Sequence, residues 1–419
     1  MMKTKNVVLK NTVMLYILTL SNYVFGFITV PYLTRVLGAT VYGNVGFGLA
    51  FATYVQLFLD FGFILSATAA VAKVSDDKER VSKIFTAVTI CKFILIVLSL
   101  VIVMVLCFTV PKFNADYKLY ILFWLYMAVN CLIPDFLYRG LEQMEVITIR
   151  TVIMKAIFTV CIFLFVKSPE QYYAVPVFYM LGALTAVIMA YVHVFGKLGV
   201  GFKKVSWAEV WKSMKDSSAF FLSRIASTIY TALNTIIFGF VYNGSPILGY
   251  YSASEKVISA GRGAIAPVSE SIYPYMVKKK NYGMVKKVIF IGEAILIAGC
   301  TFVFVLAEPL CAIAFGEEYR GAANILRCML PMIILALPTY VIAFPVLTPL
   351  GMVKYANLST IIGAVCQVIG LLVLYATGVI NVYNVCILSC FVELIVLLIR
   401  VWAMFKGLRL QREKEKEKV

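Results

Sequence analysis

Charged side chains stand inside long apolar runs of this chain, where hydrocarbon would surround them. Asp60 lies in Leu57-Phe58-Leu59-Asp60-Phe61-Gly62-Phe63, Arg224 lies in a second run, and Glu255, Lys256, Arg262 and Glu270 share a third. Glu293, Arg327 and Glu393 follow, and Lys92 and Lys155 precede them. An ionisable group within a membrane helix costs about 2.5–3.5 kcal/mol on insertion scales and usually faces a cavity or a partner. Two chemistries are open to such a set. Arginine keeps its proton, so Arg224 and Arg262 each need an anion, either a carboxylate of the chain or a ligand phosphate. Asp60, Glu255, Glu270 and Glu393 can take up protons, because burial favours the neutral carboxyl. The other use of these carboxylates is static pairing with Arg224 or Arg262, and Glu255 and Lys256 can neutralise each other. Lys92, Lys155 and Arg327 lie near helix ends and are expected to snorkel.

The third run resolves into a face. At 100° per residue, Glu255, Arg262, Glu270 and Lys256 fall within an arc of about 120°, with Ser252, Ser259 and Ser269 in or beside it. Ile247, Val257, Ile258, Ile265 and Ile272 take the other side. The polar arc must line water or a polar partner. Pro267 removes an internal hydrogen bond and can hinge the helix.

Other chemistry is poorly supplied. The ten cysteines form no CxxC pair and lie in apolar runs, where cysteine is a small hydrophobe. His193 is the only histidine, which excludes a histidine metal site and argues for a packing role. There is no Walker A sequence and no glycine-rich nucleotide fingerprint. No enzyme, cofactor or metal is expected.

The elements that position these residues follow from hydropathy. Of 419 residues, 62% are hydrophobic and 14% charged, against about 25% charged in a soluble domain. A crossing needs about 20 apolar residues. Twelve such runs are read at 11–36, 42–71, 82–109, 117–137, 146–167, 171–196, 214–241, 246–276, 286–309, 322–346, 354–377 and 380–405. The fold expected is therefore an all-α polytopic membrane protein of twelve helices in two six-helix pseudo-symmetric bundles. The first bundle covers 1–200 and the second 217–405. Between them a linker at 201–216 carries Trp207, Val210 and Trp211 near one face, with Lys203, Lys204 and Lys212 within reach of lipid headgroups, so it reads as interfacial. Residues 406–419 form a basic tail expected to be disordered.

The net charge of +17 sits in connections and tails, which points to topology and not to nucleic acid. An even helix count puts 27 Lys and Arg on the side of both termini, among them Arg139, Arg150 and Arg400, and five on the other. The bias places both termini in the cytoplasm. The halves also echo each other: Gly38-x4-Gly43 and Gly244-x4-Gly249 are offset by 206 residues, and parallel six-helix repeats are one way to build an alternating-access transporter.

The segment Pro31-Tyr32-Leu33-Thr34-Arg35-Val36-Leu37-Gly38-Ala39-Thr40-Val41-Tyr42-Gly43 resembles the first loop of polysaccharide repeat-unit flippases, the Wzx type of O-antigen and capsule clusters. So do Leu59-Asp60-Phe61-Gly62-Phe63, and Leu248-Gly249-Tyr250-Tyr251-Ser252-Ala253-Ser254-Glu255-Lys256-Val257 with Tyr273-Pro274. These families belong to the multidrug/oligosaccharidyl-lipid/polysaccharide exporter superfamily, MATE-like in fold. The resemblance implies two six-helix lobes around a cavity and movement of an undecaprenyl-diphosphate-linked oligosaccharide from the inner to the outer leaflet of the cell inner membrane. A polysaccharide polymerase and a chain-length regulator would be its partners, beside membrane lipid. Arg35 matches the arginine of the RVLG-like motif. Arg35, Arg224 and Arg262, with Lys256, would bind the diphosphate bidentately or as point charges, and Tyr250 and Tyr251 would stack on sugars. At least one of Asp60, Glu255, Glu270 and Glu393, with Asp60 and Glu270 first, would couple an ion. The alternatives are a cation-coupled multidrug exporter of the same superfamily, which should dispense with Arg262, and a non-transporting scaffold, which should tolerate loss of every buried charge.

Overall fold

The computed structural model describes residues 2–416, and every described segment of regular structure is helical. The last residues of the basic tail, 417–419, lie outside the described residues. The helices are α1 Met2–Asp60, α2 Phe63–Ala72, α3 Lys78–Thr109, α4 Pro111–Ala115, α5 Tyr117–Cys131, α6 Asp135–Gly140, α7 Met144–Phe165 and α8 Ala174–His193. They continue as α9 Trp207–Val241, α10 Pro246–Lys279, α11 Tyr282–Val305, α12 Ala307–Phe315, α13 Ala322–Met329, α14 Pro331–Val341, α15 Val353–Ala376 and α16 Val382–Lys416.

Among the described residues, nine helical stretches are long and apolar enough to cross a membrane. The first of these, Val13–Ala72, runs for 60 residues, far more than the about 20 residues of one crossing. It is interrupted at Gly38, which adopts φ 71°, and again at Phe61 and Gly62, at φ 39° and 82°. The break expected between the runs 11–36 and 42–71 is thus a kink at Gly38, with helix resuming at once. Its counterpart in the repeat, Gly244, has φ 73°. α10 is not among the nine, because charged and hydroxyl side chains dilute its hydropathy. Large apolar side chains stand outward, Phe108, Phe290 and Tyr375 each being more than 70% exposed. Exposure of that kind suits lipid, not water. The protein is an all-helical, multi-pass membrane protein.

The chain divides into two compact units, Met1–Thr228 and Ile229–Val419. The division falls inside α9, beyond the linker read at 201–216. That linker is irregular chain up to residue 206 and the first turns of α9 beyond it. Unit one packs rings among α1, α4 and α5: Tyr120 meets Phe47 edge-on at 5.6 Å and Phe113 at 4.8 Å. Gly48 lets the Phe123 ring approach α1, since a Cβ there would lie 2.3 Å from it. Edge-to-face pairs add about 0.5–1.5 kcal/mol beyond burial. Unit two has a core of Ile342, Ala343, Leu347, Met352, Ala356 and Ala403. In α10 the apolar stripe expected from the sequence is inward, with Ile258, Ile265 and Ile272 buried, whereas Lys256, Ser259 and Glu270 are exposed.

Three expectations need correction. The run 42–71 is two helices, because Gly62 takes a left-handed backbone that starts α2 afresh. The run 117–137 is also two, because Pro134 cannot donate a backbone hydrogen bond and disfavours helical backbone before it; α5 stops at Cys131 and α6 starts at Asp135. The tail is not disordered as far as it is described. α16 continues to Lys416, on alternating Glu and Lys of high helix propensity with an Arg409–Glu413 pair one turn apart at 3.3 Å.

Candidate functional site

The helix interruptions at Gly62 and Pro134 lie beside a cavity of about 220 Å³, lined by Asp60, Lys92, Asn130, Asp135, Arg139 and Arg224 among others. Each is placed by local backbone. Asp60 is the last residue of α1, where Phe61 and Gly62 turn the chain. Asn130 closes α5, and Asp135 and Arg139 lie on α6, just past the Pro134 break. Lys92 comes from the middle of α3 and Arg224 from α9.

Electrostatics in the cavity favours an anion. Three cations, Lys92, Arg139 and Arg224, line it against two carboxylates. One carboxylate is already engaged: Asp135 accepts from Arg150 Nη2 at 2.5 Å. Asp60 lies 3.8 Å from Arg224 Nη1. The Lys92 ammonium donates to the main-chain oxygens of Cys131 and of Ile133, the latter at 3.2 Å, and sits over the Phe136 ring at 5.5 Å. Arg139 Nε is buried and meets no acceptor among the described residues. A buried cationic N–H without an acceptor is costly and is relieved by an oxyanion. α2 and α6 hold the wall together. Thr68 Oγ1 donates to Phe136 O at 3.3 Å, and Gly140 is pressed to Val71, where a Cβ would lie 2.7 Å from it.

Lys92 therefore does not snorkel. It is 5% exposed, because the broken α5–α6 connection leaves carbonyls that need a donor. Arg150, counted with the terminal-side connections, is 3% exposed and bound to Asp135. Arg400, counted with the tail, is also buried. It donates to Ser359 Oγ at 2.9 Å, Thr339 O at 2.8 Å and Thr360 Oγ1 at 3.1 Å. These arginines bind protein and not the aqueous phase; the direction of the charge bias is unaltered without them. Arg327 reaches a helix-end cluster, with Phe304 O at 3.0 Å, Asn324 and Glu308.

Unit two carries its own charges. Arg262 Nη2 lies 3.0 Å from Glu393 Oε2, and Glu393 is almost fully buried. Lys256 and Glu255 are 3.8 Å apart, with Ser259 donating to Glu255 at 2.6 Å. Glu270 is exposed, as is Arg35 in unit one. Tyr251 is enclosed against Phe238 at 4.5 Å, and Tyr250 meets Tyr319 edge-on at 5.6 Å. A neutral polar cluster joins α9, α15 and α16: Asn234 donates to Ser389 at 2.8 Å, and Gln367 donates to Asn234 at 2.9 Å. His193 lies 3.4 Å from the Tyr138 hydroxyl, a packing contact.

Of the residues singled out from sequence, the structure brings together Asp60 with Arg224, Arg262 with Glu393, and Lys256 with Glu255. Arg35 is not among the residues lining the cavity. Lys92, Asp135 and Arg139 were missed as cavity residues. The signal that points to them is Asn130-Cys131-Leu132-Ile133-Pro134-Asp135, a proline and two polar residues interrupting an apolar run.

Comparison with known proteins agrees with this architecture. A "Putative O-antigen transporter" of Escherichia coli (strain K12) is 29% identical over 332 residues, covering 77% of this chain and 79% of that protein. A "Putative O-antigen transporter" of Shigella dysenteriae is 26% identical over 366 residues, covering 86% and 91%. In fold, the chain is similar to an inward-facing multidrug resistance MATE family transporter of the MOP superfamily, with TM-score 0.71, 15% identity and coverage of 96% of this chain and 99% of that one. It is also similar to the lipid II flippase MurJ, with TM-score 0.66, 12% identity and coverage of 96% and 91%. The family described as "Polysaccharide biosynthesis protein" matches residues 8–280. That match spans the cavity, its broken helices and the polar helix α10, and the chain belongs to the polysaccharide biosynthesis protein family.

Proposed function

We propose that this protein is a flippase that moves undecaprenyl-diphosphate-linked oligosaccharide repeat units from the cytoplasmic to the outer leaflet of the cell membrane by alternating access. It does so with twelve spans, both termini in the cytoplasm, and without enzymatic chemistry of its own. The observation that carries the reading is the cavity of unit one, where Lys92, Arg139 and Arg224 stand against a single carboxylate not already bound to Arg150. A diphosphate suits that surplus. Lys92 supplies a point charge and the two arginines planar forks. The family match and the O-antigen transporter relatives support the substrate class. A polysaccharide polymerase and a chain-length regulator, acting on the product, would be its functional neighbours.

Arg35, Arg262, Lys256, Tyr250 and Tyr251 remain proposed contacts for diphosphate and sugar at other stages of the passage. Asp60, Glu255, Glu270 and Glu393 remain proposed carriers of a coupling ion. For Asp60 and Glu393, the observed pairing with arginine means that ligand phosphate and carboxylate compete for the same guanidinium. Arrival of the diphosphate would release the carboxylate to take a proton, and a step in a transport cycle is built from such exchange.

The test is translocation of lipid-linked oligosaccharide by the purified protein in vesicles. Arg139→Ala and Arg224→Ala should each lose about 10- to 100-fold in apparent affinity, from a charge-assisted bond of about 1.5–3 kcal/mol, with Lys restoring only part. Asp60→Asn should become indifferent to a proton or sodium gradient to which wild type responds. Unimpaired translocation by both alanine variants would sink the phosphate site. Export of cationic drugs that survives Arg262→Ala would favour the multidrug exporter instead.

A further inference from the structure

Between α8 and α9 the chain forms a strap that the transport reading leaves unused. Residues 199–206 form no regular structure and are pinned along α3: Gly201 N donates to Ser82 Oγ at 3.3 Å and Lys203 N to Thr86 Oγ1 at 3.0 Å. The strap ends in a reciprocal cap. Ser206 N donates to Glu209 Oε2 at 2.7 Å, and Glu209 N to Ser206 Oγ at 3.3 Å. The N–H and hydroxyl of Ser206 hold the Glu209 carboxylate below its ordinary range, so the cap keeps its charge at neutral pH. α9 then starts with Val210 turned inward, its carbonyl accepting from Cys91 Sγ at 3.4 Å.

Outward, the same turns present Trp207 and Trp211, 67% and 64% exposed. They are four residues apart and thus neighbours on one helix face. Lys203, Lys204, Lys212 and Lys215 surround them, all exposed. Indole rings bordered by lysines fit the headgroup level of a bilayer, where an amphipathic ring has an apolar side and a wet side. Four ammonium groups at that level favour anionic headgroups. An acidic protein surface would satisfy the lysines and leave two tryptophans facing water.

We propose that this strap is a docking surface for anionic phospholipid headgroups, and that docking sets the cavity. The coupling is covalent and short. Ser82, Thr86 and Cys91 precede Lys92 on α3, and α9 continues from the tryptophans to Arg224. A pull on the strap therefore moves two cations of the site at once. The regulatory part rests on the flippase reading; the lipid contact does not.

The experiment uses the full chain, carrying Trp402→Phe to remove the other exposed indole, in nanodiscs of phosphatidylcholine with or without phosphatidylglycerol. Brominated phosphatidylglycerol should quench Trp207 and Trp211 more strongly than brominated phosphatidylcholine at equal content. Each lysine changed to Gln should lower that preference about fivefold. In vesicles of the same lipids, phosphatidylglycerol should stimulate translocation by wild type, and the variant Lys203→Gln/Lys204→Gln/Lys212→Gln/Lys215→Gln should lose that stimulation. Equal quenching by both lipids, or a preference unchanged in the four-lysine variant, overturns the docking surface whatever the substrate proves to be. Lipid-selective quenching with translocation indifferent to phosphatidylglycerol overturns the regulatory claim alone. An effect of the lysines seen in cells but not in nanodiscs assigns the surface to an acidic protein and overturns the proposal.

Discussion

Arg262 and Glu393 are 131 residues apart in the chain and 3.0 Å apart in the fold, a charge pair that ties α10 to α16. Glu393 is 3% exposed, so removing its partner strands a carboxylate away from water. We expect Arg262→Met or Glu393→Leu alone to cost about 3–5 kcal/mol, and the double variant to cost much less, since a buried pair replaced by apolar side chains is often neutral. A double-mutant cycle on detergent unfolding measures this. Additive losses would show that the two side chains do not act as a pair.

Lys92 provides the second case. Its ammonium serves the carbonyls of Cys131 and Ile133 where Pro134 ends the helix. In Lys92→Met each carbonyl left without a donor costs about 1–3 kcal/mol. Amide exchange should rise around residues 130–137 while α15 and α16 keep their protection. Unchanged exchange at that break would mean that the ammonium is not what holds it.

Glycine at the turn after Asp60 gives a differential prediction. Gly62 has φ 82°, and a Cβ there would lie 2.7 Å from Ser217 O and 2.8 Å from Phe220 Cβ. Gly244 has φ 73° but would meet nothing within 4 Å. A left-handed backbone costs a non-glycine residue about 1–2 kcal/mol, so both Gly→Ala variants lose that much. Only Gly62→Ala should lose more and shift the Asp60–Arg224 pair. Equal melting temperatures for the two variants would refute the close approach.

Topology is tested by two fusions. A reporter active only in the cytoplasm should work after Val419 and fail when placed in the connection at 243–246. The charge bias predicts this through the positive-inside rule. Activity at both sites, or failure at the C-terminus, would break the twelve-span arrangement.

The sequence by itself determined the solvent. Apolar runs this long, with most of the positive charge in their connections and tails, can only be membrane helices. It also determined the inward stripe of α10, because a 3.6-residue period is a property of one helix read alone, and it placed glycine at 38 and 244, where the structure uses a left-handed backbone. The partners of the charges were decided by packing. Nothing local to Lys92 says that it will meet the carbonyls of Cys131 and Ile133 and not the membrane surface. Arg400 stands inside the run read at 380–405, but nothing near it says that it will meet Ser359, Thr339 and Thr360 and not the cytoplasm. Those outcomes depend on which helices lie side by side, and the periodicity of a helix names its buried face without naming what that face is buried against. The cavity exists for the same reason. Gly62 and Pro134 each break a helix, but only the fold puts the two breaks at one place, with Arg139 turned into the space between them.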